Sequence, residues 1–115
     1  MTILTLDIKP ISSNVFSHLH WAKKKQFKNE MEELVFYECK INKIKPIKVY
    51  PILFYYEFYF KTKHRHDLDN YAINIKLIND GLRYAKVLED DTIDYVPHMD
   101  LKGFRDDKDY IIIKW

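Results

Sequence analysis

Two glycines in 115 residues leave nothing from which to build a glycine-rich loop that cradles phosphate. The single cysteine, Cys39, excludes an intrachain disulfide and fits a reducing compartment, where it is expected as a small buried hydrophobe on a helix. No apolar run reaches the roughly 18 residues that a membrane span requires. The opening stretch MTILTLDIKP has no basic leader and only a brief apolar run broken by Asp7, so no signal peptide is expected and a cytoplasmic location is. What the chain has in plenty is aromatic residues, nine Tyr and seven Phe among them, at 16% of the sequence within a 47% hydrophobic total. Side chains that bury this much apolar area argue against disorder, and the length fits one domain spanning residues 1–115.

The net charge of +2 hides a division along the chain. From His20 to Arg65 eleven Lys/Arg face five Glu, whereas from His66 to Trp115 seven Lys/Arg face eleven Asp/Glu, so the first stretch carries +6 and the second −4. A basic half beside an acidic cluster suits a protein that holds a polyanion and sets divalent cations against it. Two ordinary solvated surfaces are the competing reading.

Hydrophobic patterning alternates between element types. TILTLDI reads as a short strand, Thr2 to Ile8, ended by Pro10. Ser12, Ser13 and Asn14 offer N-caps for a helical pattern running to about Asn42, with a break expected near Lys25. IKVYPILFYYEFYFKTK is too rich in aromatic and β-branched residues for a helix, and Pro51 inside it implies an edge position, a bulge or a late strand start. A second helix is expected from Asn70 to about Tyr84, weakened or ended by Gly81. Further strands are expected near Thr92 to Met99 and Tyr110 to Trp115, with KGFRDDKD between them as a turn or hairpin loop. The expected fold is α+β, two main helices packed on a mixed, mostly antiparallel sheet.

The acidic cluster lies in HRHDLDNYAINIKLINDGLRYAKVLEDD, His64 to Asp91. Asp67 and Asp69 are two apart where the chain leaves a strand, and in an extended segment such side chains point the same way. At 100° per residue, positions 76 and 80 of a helix each fall about 20° from position 69, on either side of it, so one face collects Asp69, Lys76 and Asp80. Asp90 and Asp91 follow, and a strand-helix-strand return is expected to bring their loop back towards the start of the helix. Clustered carboxylates repel unless something compensates. Mg²⁺ is the hard cation suited to aspartate oxygens, and it leaves sites for water and phosphate. For Lys76 two readings stand: a point charge stabilising a phosphate, or an i,i+4 salt bridge with Asp80.

Other chemistries fit less well. An EF-hand beginning at Asp67 fails at Tyr71, Ala72 and Ile78, and a phosphatase with an Asp-x-Asp nucleophile needs a larger α/β domain. His20, His64 and His66 lack a second Cys or a paired helical spacing for zinc, and read as polar surface or phosphate contacts.

DLDN, then Lys76, then DGL four residues beyond it and the second Asp of DD eleven residues after Asp80, resembles the RusA-type Holliday junction resolvases. SSN with HLHWAKKKQFK is similar to the N-terminal Asn and basic helix of phage-borne relatives. The resemblance implies a RusA-like homodimer that cuts four-way DNA junctions by paired nicks with Mg²⁺, Mn²⁺ being a substitute. It implies Asp67, Asp69 and Asp91 as metal ligands and Lys76 as the catalytic Lys. The basic residues Lys23, Lys24, Lys25 and Lys28, with Lys61, Lys63 and Arg65, then read as contacts to a DNA backbone, joined by Asn14. The rival classes are a non-catalytic module binding branched DNA and a nuclease for flaps or single strands. The aromatic strand ILFYYEFYF is either monomer core or a dimer face.

Overall fold

The alternation in LFYYEFYF organises the molecule. In the computed structural model, which describes residues 1–115, Phe54, Tyr56, Phe58 and Phe60 point into the core while Leu53, Tyr55, Glu57 and Tyr59 stand half-buried on the opposite face. This strand, β2 (Leu53–Phe60), starts just after Pro51, the late start that the proline implies. The remaining elements are β1 (Ile3–Leu6), α1 (Ser13–Ser17), α2 (Trp21–Ile41), a 3₁₀ turn at Leu68–Tyr71, α3 (Ala72–Tyr84), β3 (His98–Arg105) and β4 (Tyr110–Lys114). The sheet order is β1-β4-β2-β3. Its β1/β4 and β4/β2 pairs are antiparallel and its β2/β3 pair is parallel, from Leu53↔His98 to Phe60↔Arg105.

Helices α2 and α3 cover one face of this sheet. Met31, Val35 and Cys39 recur every four residues along α2 and meet Leu77, Ile78 and Leu82 of α3 above Leu4, Leu6, Ile111 and Ile113. Full burial of an aliphatic or aromatic side chain contributes about 1.5–3 kcal/mol each. Burial also pushes the Cys39 thiol up to about 11, with the neighbouring Glu38 charge adding to the shift, so it is un-ionised and inert at neutral pH. No helix is long and apolar enough to cross a membrane.

Gly81 does not end α3. A Cβ built there would lie 2.9 Å from Val35 Cβ, so the missing side chain lets two helix backbones approach. The first helical pattern breaks at His18 to His20, not near Lys25: Ser12 Oγ caps α1 by accepting from the Val15 N–H at 3.1 Å, and His20 Nδ1 caps α2 by accepting from the Ala22 N–H at 3.3 Å. β3 begins at His98 because residues 92–96 turn instead, with the Tyr95 and Val96 amides both bonded to the Thr92 carbonyl. KGFR therefore belongs to a strand. The run after it is no hairpin, because β2 lies between β3 and β4.

Candidate functional site

The DLDN segment sits where β2 gives way to α3, beside the end of its parallel neighbour β3. Arg105, the last residue of β3, shapes the connecting loop. Its guanidinium donates to the Thr62 carbonyl at 2.5 Å, the His64 carbonyl at 2.7 Å and His66 Nδ1 at 2.6 Å, while the His66 ring stacks on Phe60 at 4.2 Å between centroids. Asp67 is extended, but Asp69 already lies in the 3₁₀ turn, so the two do not share one face of an extended segment. Both are exposed.

The Ser12-Ser13-Asn14 segment is fastened to this leading end of α3. Asn70 Oδ1 accepts from the Asn14 N–H at 3.2 Å, and Ser13 Oγ accepts from the Ile73 N–H at 3.2 Å. Asn74, fully buried, accepts from the Ile11 N–H at 3.1 Å and donates to the Ile11 and Tyr71 carbonyls at 2.8 and 2.9 Å. Asn14 thus stands beside DLDN through its backbone, 56 residues away in sequence.

A second group of charges gathers further along α3. Lys76 Nζ lies 3.0 Å from Asp80 Oδ1 and 3.5 Å from Asp91 Oδ2, while Lys28 of α2 reaches Asp80 at 4.0 Å. Arg83 stands 3.7 Å from Asp91 and 4.0 Å from Asp90. The Asp80 and Asp91 side chains keep only 14% and 17% of their surface, which marks them as internal partners of these cations. The Asp80 hydrogen bond, with the Asp80 and Asp91 charges, outweighs partial desolvation and holds the Lys76 ammonium above the ordinary lysine range. Beneath lies a buried pair in which the Tyr56 hydroxyl donates to Asn79 Oδ1. Burial drives the Tyr56 pKa upward, and the Asp91 charge adds to it.

The return loop therefore places Asp91 beside the Lys76-to-Arg83 stretch of α3. At 1.5 Å per helical residue, Asp69 and Asp80 are separated by roughly 16 Å along the axis. Asp67 and Asp69 do not meet Asp91 in one ligand set, and no group of three His, Cys, Asp or Glu side chains stands ready to hold a metal. Asp67 instead pairs with Arg65 at 3.1 Å; no protein side chain pairs with Asp69.

Among the basic residues, Lys23, Lys24 and Lys25 are consecutive and fan across about 200° of α2, so they form no single track. Lys24 and Lys28 share a line, and Lys28 is turned to Asp80. Lys23, Lys24, Lys25, Lys61 and Lys63 have no carboxylate partner, and all but the half-buried Lys24 are exposed. Arg83 and Arg105 went unassigned in the sequence. The helical-face count that collects Asp69, Lys76 and Asp80 reaches Arg83 if continued by seven residues; no sequence signal marks Arg105 as a loop staple.

Comparison with models of known protein families finds no match, and comparison with curated proteins finds none. Chemically, the leading end of α3 offers two exposed hard-oxygen donors beside cationic side chains. The far end offers a lysine held protonated by two carboxylates.

Proposed function

We propose that the chain is a RusA-type, Mg²⁺-dependent, structure-selective endonuclease that nicks four-way DNA junctions as a homodimer. One observation carries this reading: Asp69 has no side-chain partner in the turn that leads into α3, where Asn70 and Ile73 are fastened to the Ser13-Asn14 segment, with a protonated Lys76 about two turns further along the chain. Asp67 and Asp69 fit Mg²⁺, which takes one or two carboxylates and keeps its other positions for water and phosphate. Held by Asp67 and Asp69, such an ion would supply charge neutralisation of the phosphate and a more acidic water for in-line attack. Asp91 does not fit the same ligand set in this arrangement. In this reading Asp91 and Asp80 are positioning residues that hold Lys76 charged and aimed. Lys76, about 10 Å along the axis from Asp69, faces the backbone phosphate next to the one being cut. The unpartnered Lys23, Lys25, Lys61 and Lys63 supply sequence-independent backbone contacts. Two copies related by a two-fold axis match the symmetry of a four-way junction.

A non-catalytic module that binds branched DNA is the second reading, favoured by the pairing of Asp67, Asp80, Asp90 and Asp91 with cations of the same chain. Incubating a synthetic four-way junction with the protein, with and without Mg²⁺, separates the two. Paired nicks that need the metal support the nuclease. Metal-independent, salt-sensitive binding without product supports the module. Flap and single-stranded substrates in the same assay define the preferred structure.

A further inference from the structure

A cleft of about 610 Å³ opens between the N-terminal segment and the loop before DLDN. Lys9 and Ser12 line one wall, Thr62, His64, Arg65 and His66 the other, and the rings of Phe27 and Tyr71 complete the lining; no carboxylate lines it. Its volume falls within the roughly 300–1,000 Å³ of small-ligand sites. Two cations, Lys9 and Arg65, and the imidazole of His64 call for an anion, while the aromatic rings of Phe27 and Tyr71 call for a flat apolar ring. Both walls are already braced. Asn74, Ser13 and Asn70 hold the first through hydrogen bonds from α3 and the turn before it, and Arg105 holds the second through three donations. A ligand entering such a site meets little cost of ordering the backbone around it, the exposed Lys9 and Arg65 side chains being what it must order.

We propose that this cleft receives a single unstacked nucleotide of the DNA strand, its phosphate at Lys9 and Arg65 and its base over Phe27 and Tyr71. Arg65 also contacts Asp67, so a nucleotide held here delivers its adjoining phosphate towards DLDN. The inference rests on the nuclease reading and names the part of the junction that the site takes: an unpaired nucleotide at the branch point, where extraction from the stack costs least.

The test titrates the whole protein with thymidine monophosphate, thymidine and inorganic phosphate, following backbone amide NMR shifts, with junction nicking measured in parallel. Thymidine monophosphate is expected to move signals of residues 9–15 and 62–66 and to bind more tightly than thymidine or phosphate. Lys9→Ala with Arg65→Ala should weaken it about tenfold or more, as expected when charge-assisted contacts are lost. Val15→Trp, at an exposed position on the rim (56% exposed), should fill the cleft and abolish binding without disturbing the core. Equal binding of phosphate and thymidine monophosphate, or no effect of Val15→Trp, overturns the proposal. Nicking by the parent chain without nucleotide binding sinks the cleft alone. Nucleotide binding that obeys the variants in a chain that never nicks sinks the nuclease and leaves the cleft standing.

Discussion

The two ends of α3 treat their aspartates in opposite ways. Around Lys76, Asp80, Arg83 and Asp91 every charge has a partner within 4.0 Å, and the carboxylates are largely withdrawn from water. At the leading end Asp67 has one exposed partner, Arg65, whose side chain is 87% exposed, and Asp69 has none. The far end is closed to a metal cation, which would have to displace Lys76 and Arg83 from the carboxylates. The leading end is open, and its backbone is fixed by the amide bonds of Asn70 and Asn74 instead of by charge. What the sequence presents as one acidic cluster is two sites with different electrostatics.

Substitutions at the two ends should separate by size. If the proposed nuclease reading holds, Asp69→Asn removes the proposed metal ligand at the open end and should slow nicking of a four-way junction by roughly 1000-fold, the several kcal/mol a metal-held phosphate supplies, while junction binding and thermal stability stay near parental values. Equal nicking rates for variant and parent would remove Asp69 from the chemistry. Asn74→Ala leaves part-buried backbone groups of Ile11 unpaired and should cost about 1–3 kcal/mol in all, read as a fall in Tm together with loss of hydrogen-exchange protection in residues 11–14. A fall in Tm with that segment still protected would show that Asn74 is not its anchor.

A smaller effect belongs to the helix contact behind both ends. Gly81→Ala would gain about 1 kcal/mol by helix propensity alone. The new methyl, however, meets Val35 Cβ at 2.9 Å, an atom fixed to its own backbone and unable to swing away. Overpacking of about 1–3 kcal/mol wins, and Val35→Ala in the same chain should recover part of it in a denaturation series.

These positions also mark how far the sequence could be read. Periodicity located α2, β2 and α3, because burial on one face writes a regular pattern. It missed the break at His18 to His20, where Val15, Leu19 and Ala22 continue the apolar spacing while side-chain caps end one helix and begin another. β3 was displaced because it is a sheet edge whose residues are mostly exposed, so HMDLKGFR carries no alternation to find. Gly81 signals a helix end locally, and only the neighbouring helix reveals it as a packing contact. At the site, the Lys76–Asp80 salt bridge was legible from helix geometry, whereas Asp69 lies in the 3₁₀ turn before α3, outside the helix that the face count assumes. The position of Asp91 depends on the return loop from Ala85 to Pro97, whose path is set by Val87, Leu88 and Val96 entering the core and leaves no local pattern.

The smallest effect concerns pH at the closed end. Lys76 has its pKa raised on folding, so its ion pairs stabilise fully below the unfolded lysine value near 10.4 and are lost as pH rises through the folded one. Lys76 is 61% exposed, so the contribution should stay within about 1 kcal/mol. The Tm difference between the parent and Lys76→Met should be constant from about pH 6 to 9 and shrink above about pH 10.5. A difference that changes near neutrality would mean the ammonium is not held above its ordinary range.

The division between the two ends is tested most directly by adding substoichiometric Mn²⁺ to the isotope-labelled protein and following which amide signals broaden first. Signals of Asp67 to Tyr71 are expected to vanish before those of Asp90 to Thr92. Broadening that begins at Asp90 and Asp91, or that spreads evenly over the surface, would contradict the assignment of the open end of α3 as the metal site.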